Sequence, residues 1–295
     1  MQTTPRRSVL YMPGSNARAL EKAKSIAADA LILDLEDAVA PAAKASARTQ
    51  VCAAVHSGGY GRRELVIRIN ALETAWGEAD LAAALAVAPD AILLPKTGSA
   101  ADVLAVTDRL ARAEAAAKTR LWVMIETPLA ILNLKEIAAA AARERARLDC
   151  LVLGTNDLVK ETRADLSAGA WPAHYWLSAA VVAARAFGLD VLDGVYNDFR
   201  DREGFRRACL DGRALGFDGK TLIHPDQVSD ANAIFAPVEA ELAFARKVLA
   251  AFQQPENAGK GVITVEGRMV ELLHAKMAAR TVAIAEAIQA LGTDR

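Results

Sequence analysis

Eight short, nearly continuous β-prone runs punctuate the chain, at residues 8–13, 30–35, 64–69, 91–94, 121–125, 150–154, 189–192 and 221–223. Between them lie stretches rich in Ala, Glu, Lys and Arg whose apolar residues fall three and four apart, as in 17–28, 101–117 and 200–215, the period of an amphipathic helix. Apolar strands that lack an exposed polar face, each followed by a helix, require a parallel sheet covered by helices. Eight such units predict an α/β fold of the TIM (β/α)8 barrel type. A doubly wound sheet would carry a glycine-rich turn after its first strand, whereas Pro13, Gly14, Ser15 and Asn16 hold one glycine and no GxGxxG. Polar groups also gather where a barrel places its chemistry, at the C-terminal tips of strands: Arg68 and Asn70 close the third run, and Glu36 and Asp37, Lys96, Glu126, and Asp157 follow four others.

Beyond the eighth run, residues 225–252 read as one or two helices. Residues 253–261, with Pro255, Asn257, Gly259 and Gly261, have the composition of a linker. A short β-prone piece at 262–266 and an amphipathic helix over 269–291 complete the chain. The expected organisation is a catalytic barrel over 1–252 and a C-terminal linker and helical extension over 253–295, packed on the barrel or on a neighbouring subunit.

Composition narrows the function classes. With 295 residues, 53% hydrophobic and 24% charged, the chain has the make-up of a folded protein. Thirty-five Lys and Arg against 36 Asp and Glu leave a net charge of −1, so no global field favours nucleic acid, and an anionic ligand needs a local basic cluster. Arg18, Lys22 and Lys24, on the helix after the first run, supply one suited to a diphosphate. Cys52, Cys150 and Cys209 are far apart and lie in apolar segments, the pattern of reduced thiols in a cytoplasmic protein. The N-terminal apolar run is too short for a signal peptide, and no stretch has the length and hydropathy of a membrane span.

Among the tip residues, Glu126 and Asp157 offer hard carboxylate oxygens suited to Mg²⁺; no HxH, HExxH or cysteine cluster points to zinc. Capping of the following helices is the structural alternative, since Thr127 and Pro128 resemble a helix start. Adjacent Glu36 and Asp37 would face opposite ways on a strand, so only one can meet a ligand directly. Arg68, a guanidinium in an apolar strand, must be paired when buried; its fork suits an oxo-acid carboxylate, and pairing with Glu36 or Asp37 is compatible with that role. Asp218, Gly219, Lys220 and Thr221 imitate the end of a phosphate-binding loop, but Ala214 stands where its first glycine belongs and strand rather than helix follows. No GxSxG or histidine-centred triad is present.

Taken together, the segments Arg7 to Gly14, Leu33 to Val39, Arg68 to Asn70, Leu94 to Lys96, Ile125 to Thr127, Gly154 to Leu158 and Gly219 to Pro225 resemble the citrate lyase β-subunit-like group of the HpcH/HpaI aldolase superfamily, which includes malyl-CoA, citramalyl-CoA and citryl-CoA lyases. The resemblance implies a Mg²⁺-dependent TIM barrel that makes or breaks a carbon–carbon bond between an acyl-CoA and a 2-oxo acid. It matches Glu126 and Asp157 to metal ligands and Arg68 to the oxo-acid anchor. It also implies a homotrimer or hexamer in which the C-terminal segment covers a neighbour's site. The Asp that serves as acid/base in several lyases corresponds here to Glu271, in Gly267, Arg268, Met269, Val270, Glu271, one methylene longer. The candidate set is therefore Arg68, Glu36, Asp37 and Glu271 for catalysis; Arg68, Glu126, Arg18 and Lys22 for substrate; and Glu126 and Asp157 for metal. Other activities the residues allow are a pyruvate-type class II aldolase acting on aldehydes, and a β subunit active only with acyl-carrier and transferase partners.

Overall fold

The eight runs pair side by side, in sequence order and all parallel, and the last closes on the first. In this computed structural model, which describes residues 4–113, 116–143, 146–166, 169 and 171–293, they form β1 (Ser8–Pro13), β2 (Ala30–Asp34), β3 (Glu64–Arg68), β4 (Ala91–Leu94), β5 (Arg120–Ile125), β6 (Leu148–Leu153), β7 (Asp190–Asp193) and β8 (Gly219–Leu222). Helices fill every crossover: α1 (Ala17–Ala23), α2 (Lys44–Ser57), α3 (Gly77–Val87), α4 (Ala100–Arg112), α5 (Pro128–Leu132), α6 (Leu134–Ala139), α7 (Thr155–Thr162), α8 (His174–Ala186) and α9 (Arg202–Leu215). Two of the expected helices are shorter than their apolar pattern. That over 17–28 stops at Ala23, and that over 101–117 stops at Arg112, residues 114–115 lying outside the described part.

The strands lack an exposed polar face because both faces are covered. Alternate residues turn inward: Val9, Ala30, Ile32, Val66, Ala91, Leu93, Trp122, Met124, Cys150, Val152 and Leu192 pack into one interior cluster. The intervening ones, such as Leu10, Leu31, Leu33, Ile67 and Ile92, pack outward against the helices. The barrel is thus a filled core. Beneath it, at the N-terminal ends of the strands, Arg6 forms a bidentate pair with Glu64 at 2.7 and 2.8 Å, reaches Asp149 at 2.5 Å and Asp190 at 2.9 Å, and lies 4.7 Å from the Trp122 ring.

After α10 (Val228–Phe235) and α11 (Glu239–Phe252), the tail departs from the expected linker and helix. Residues Val262–Val265 (β9) and Arg268–Glu271 (β10) form an antiparallel hairpin, and the last helix, α12 (Leu272–Thr293), begins only after it. Met269, Val270 and Glu271 therefore belong to a strand. Glu266 and Gly267 occupy the two turn positions with φ of 50° and 75°, the left-handed pair that a two-residue hairpin requires. Ile263, Val265 and Val270 pack with Ala245 and Val248 of α11 and Ala278 of α12 in a separate small core. From there α12 crosses under the barrel, where Arg280 meets Asp218 at 2.7 Å and Asp190 at 3.7 Å. No helix among the described residues is long and apolar enough to cross a membrane.

Candidate active site

The alternation that fills the barrel also builds its mouth. One step above the interior cluster, the inward positions are Tyr11 on β1, Asp34 on β2, Arg68 on β3, Glu126 just past β5 and Gly154 just past β6. With Asp157 these residues line a cavity of about 330 Å³.

Glu126 is fully buried. Thr127, not Glu126, caps α5, its side chain accepting the N–H of Ala130 at 3.0 Å with Pro128 as the first helical residue, so the carboxylate is left to point inward. Its Oε1 accepts the backbone N–H of Lys96 at 2.7 Å, while Oε2 accepts no hydrogen bond. Burial pushes this carboxyl above its ordinary range, opposed by Lys96. Asp157 lies in the first turn of α7, and the ammonium of Lys96 stands between the two acids, 2.9 Å from Asp157 and 3.4 Å from Glu126. A side chain at Gly154 would collide with Glu126, its Cβ falling 2.4 Å from Glu126 Cβ.

Arg68 is paired, as its burial demands. Its principal partner is Asp34, which faces it in register on the neighbouring strand and accepts from Nε and a terminal nitrogen at 2.6 and 2.7 Å. Sequence reasoning passed over Asp34 because it was read as part of an apolar strand. The other terminal nitrogen lies 2.7 Å from Glu36 Oε2 and 3.8 Å from Asp37, and the guanidinium covers the Tyr11 ring at 4.8 Å. Beyond the end of β2 the adjacent acids differ in exposure: Glu36 is 8% exposed and lies against Arg68, whereas the Asp37 side chain is 68% exposed and lines the cavity. Burial lifts the Glu36 carboxyl to about 7, against the pull of Arg68.

The remaining candidates lie outside this cavity. Arg18 and Lys22 are exposed on α1, and Lys24 is paired with Glu21 at 2.7 Å. Glu271 is half-buried on β10, its backbone N–H donating to His274 Nδ1 at 2.9 Å, and it does not line the cavity of its own chain. Lys96, noted in the sequence only as a polar residue at a strand tip, proves to touch both proposed metal ligands.

Asp34, Glu36, Asp37, Glu126 and Asp157 set five carboxylates against two cations, Arg68 and Lys96. An acidic mouth with an unbonded, buried carboxylate oxygen fits a divalent cation. Mg²⁺ takes one or two carboxylates and completes its shell with water or substrate, a demand that Glu126 and Asp157 could meet.

A parallel eight-stranded barrel with an acid pair and a clamped arginine at its C-terminal mouth defines a class of TIM-barrel enzyme whose polar groups gather at the strand tips. A sequence profile of the HpcH/HpaI aldolase/citrate lyase family matches residues 7–225, and the chain belongs to that family. It is 47% identical over 291 residues to a (3S)-malyl-CoA thioesterase of Cereibacter sphaeroides, covering 99% of this chain and 98% of that protein. It is 39% identical to the L-malyl-CoA/beta-methylmalyl-CoA lyase of Rhodobacter capsulatus, covering 92% of each. The crystal structure of protein CitE from Mycobacterium tuberculosis, in complex with magnesium, acetoacetate and coenzyme A, superposes with a TM-score of 0.73 at 31% identity, covering 96% of this chain and 99% of that one.

Proposed function

We propose that this enzyme is a Mg²⁺-dependent carbon–carbon lyase that splits a 3-hydroxyacyl-CoA of the malyl, citramalyl or citryl type into an acyl-CoA and a 2-oxo acid, or joins them. The observation that carries this reading is the convergence of Glu126, with its unbonded Oε2, and Asp157 on one cavity that also holds Arg68. Glu126 and Asp157 would hold the metal. When bound, Mg²⁺ supplies Lewis acidity toward the hydroxyl and carboxylate oxygens of the substrate. Arg68, locked by Asp34, presents its remaining N–H groups to the oxo-acid carboxylate at a fixed orientation, which removes the entropy of finding it. In the cleavage direction a carboxylate base takes the hydroxyl proton, the bond between the hydroxyl-bearing carbon and the thioester α-carbon breaks, and the same carboxyl returns the proton to the α-carbon.

That proton is assigned to Glu271 of an adjacent subunit. Its own cavity excludes it, and Met269, Leu272, Leu273 and Met277 around it expose apolar surface suited to a homo-oligomeric contact, trimeric or hexameric. Arg18 and Lys22 would meet the CoA diphosphate.

A second reading is favoured by the 47% identical thioesterase. Here the Glu271 carboxylate activates water toward the thioester carbonyl; the C–S bond breaks and the thiol leaves with a proton. One assay separates the two. The purified single chain, given malyl-CoA, citramalyl-CoA or citryl-CoA with Mg²⁺, should form a 2-oxo acid, trapped as its hydrazone, without free thiol if it is a lyase. Free thiol without oxo acid identifies the hydrolase. Absence of both products, restored by added acyl-carrier and transferase subunits, identifies a subunit dependent on partners.

A further inference from the structure

The reaction proposed above gives Lys96 no task, yet its geometry is specific. Its backbone takes the left-handed conformation, φ 51°, seldom adopted by a residue with a side chain. Its backbone N–H donates to Glu126 Oε1 at 2.7 Å. Its side chain then folds back so that the ammonium lies 3.4 Å from Oε2 of the same carboxylate and 2.9 Å from Asp157. One residue thus hydrogen-bonds Oε1 of Glu126 through its backbone and sets its charge near Oε2, which accepts no hydrogen bond. The Lys96 side chain is 30% exposed, whereas that of Glu126 is 1% exposed, so the cation has an outward path that the acid lacks.

Two carboxylates this close, one of them buried, repel each other unless a positive charge stands between them. We infer that Lys96 is a tethered counter-cation that holds the Glu126–Asp157 pair in place without metal and competes with the divalent ion for the same oxygens. The inference rests on the assignment of these two acids as metal ligands. A lysine ammonium carries one charge and cannot share both carboxylates as closely as a small divalent ion, so the metal displaces it, but at a cost that keeps the metal exchangeable. The role is one of positioning: Lys96 acts on the reaction through the two acids.

The test measures metal binding and melting in addition to turnover. Chains stripped with EDTA and dialysed are titrated with MgCl₂ by calorimetry, in wild type, Lys96→Met and Lys96→Asn; asparagine is a residue that tolerates the left-handed backbone. Removing a unit charge at this distance should tighten Mg²⁺ binding about tenfold or more in both variants. The metal-free melting temperature should fall in both variants, and the upward shift on adding Mg²⁺ should grow. Unchanged or weaker Mg²⁺ affinity in folded variants, judged by far-UV circular dichroism, overturns the inference. Glu126→Gln separates this failure from failure of the underlying assignment. If that variant loses Mg²⁺ binding while the Lys96 variants bind as wild type does, only the role of Lys96 falls; if it binds Mg²⁺ normally, the metal lies elsewhere and both fall.

Discussion

At Gly154 the absence of a side chain is what admits Glu126. An added Cβ would fall 2.4 Å from Glu126 Cβ and 2.7 Å from the same Oε2 that accepts no hydrogen bond. Gly154→Ala should cost roughly 1–3 kcal/mol in overpacking and weaken Mg²⁺ binding, while Glu126→Gln weakens binding with little change in fold; calorimetric titration beside thermal melts checks both. Glu36 makes a different statement. Its carboxyl is lifted from an ordinary 4.5 to about 7, chiefly by burial, so the folded chain holds a proton there that the unfolded chain releases. That contribution to stability is complete below pH 4.5 and is lost as pH rises to about 7. In metal-free buffer, urea melts at several pH values should show wild type losing stability across this window relative to Glu36→Gln; parallel profiles would contradict it. Arg68, Glu126 and Asp157 could be picked out in the sequence because they stand at or just after the ends of apolar runs, where a barrel gathers its polar groups. Asp34 escaped for the opposite reason: its partner lies 34 residues away and only strand register brings them face to face.

Among elements, the eight strands were the most legible, because burial on both faces writes a continuous apolar run, and their observed limits differ from the expected ones by only a few residues. The hairpin of β9 and β10 was not legible as such. β9 falls within the β-prone piece expected at 262–266, but the four residues of β10 are too few for alternation to stand out, and the buried positions of both strands face α11 and α12, elements that only the tertiary fold supplies. Apolar residues at 269, 270, 273 and 277 fit a helical period as well as they fit the strand and helix that form. Gly267, at φ 75°, is the residue that could have marked the turn. Gly267→Ala should cost about 1–2 kcal/mol, felt first in the hairpin. Limited proteolysis should cut the variant near residue 267 earlier than wild type, with a lower melting temperature.

For the molecule as a whole, α12 is tied beneath its own barrel by Arg280 to Asp218, while the hairpin before it carries Glu271 apart from the cavity at the opposite mouth. If Glu271 serves a neighbour, Glu271→Gln should lower kcat by about 10²- to 10⁴-fold with Mg²⁺ binding intact. Mixing that variant with Asp157→Asn subunits should then restore activity, because some mixed sites unite an intact acid pair with an intact Glu271. No recovery after demonstrated subunit exchange would reject the arrangement. The sealed floor of the barrel carries a kinetic consequence. Arg6, tied to Glu64, Asp149 and Asp190 under Trp122, leaves no rear exit. With one doorway, a small acid seated beside Arg68 as proposed would arrive before the bulky thioester and depart after it. If the enzyme is the lyase proposed above, turnover on such a floor plan should follow a compulsory sequence, in which the acyl-CoA is released first and the small 2-oxo acid, leaving last, competes with the incoming hydroxyacyl thioester for the free enzyme; product-inhibition kinetics check it.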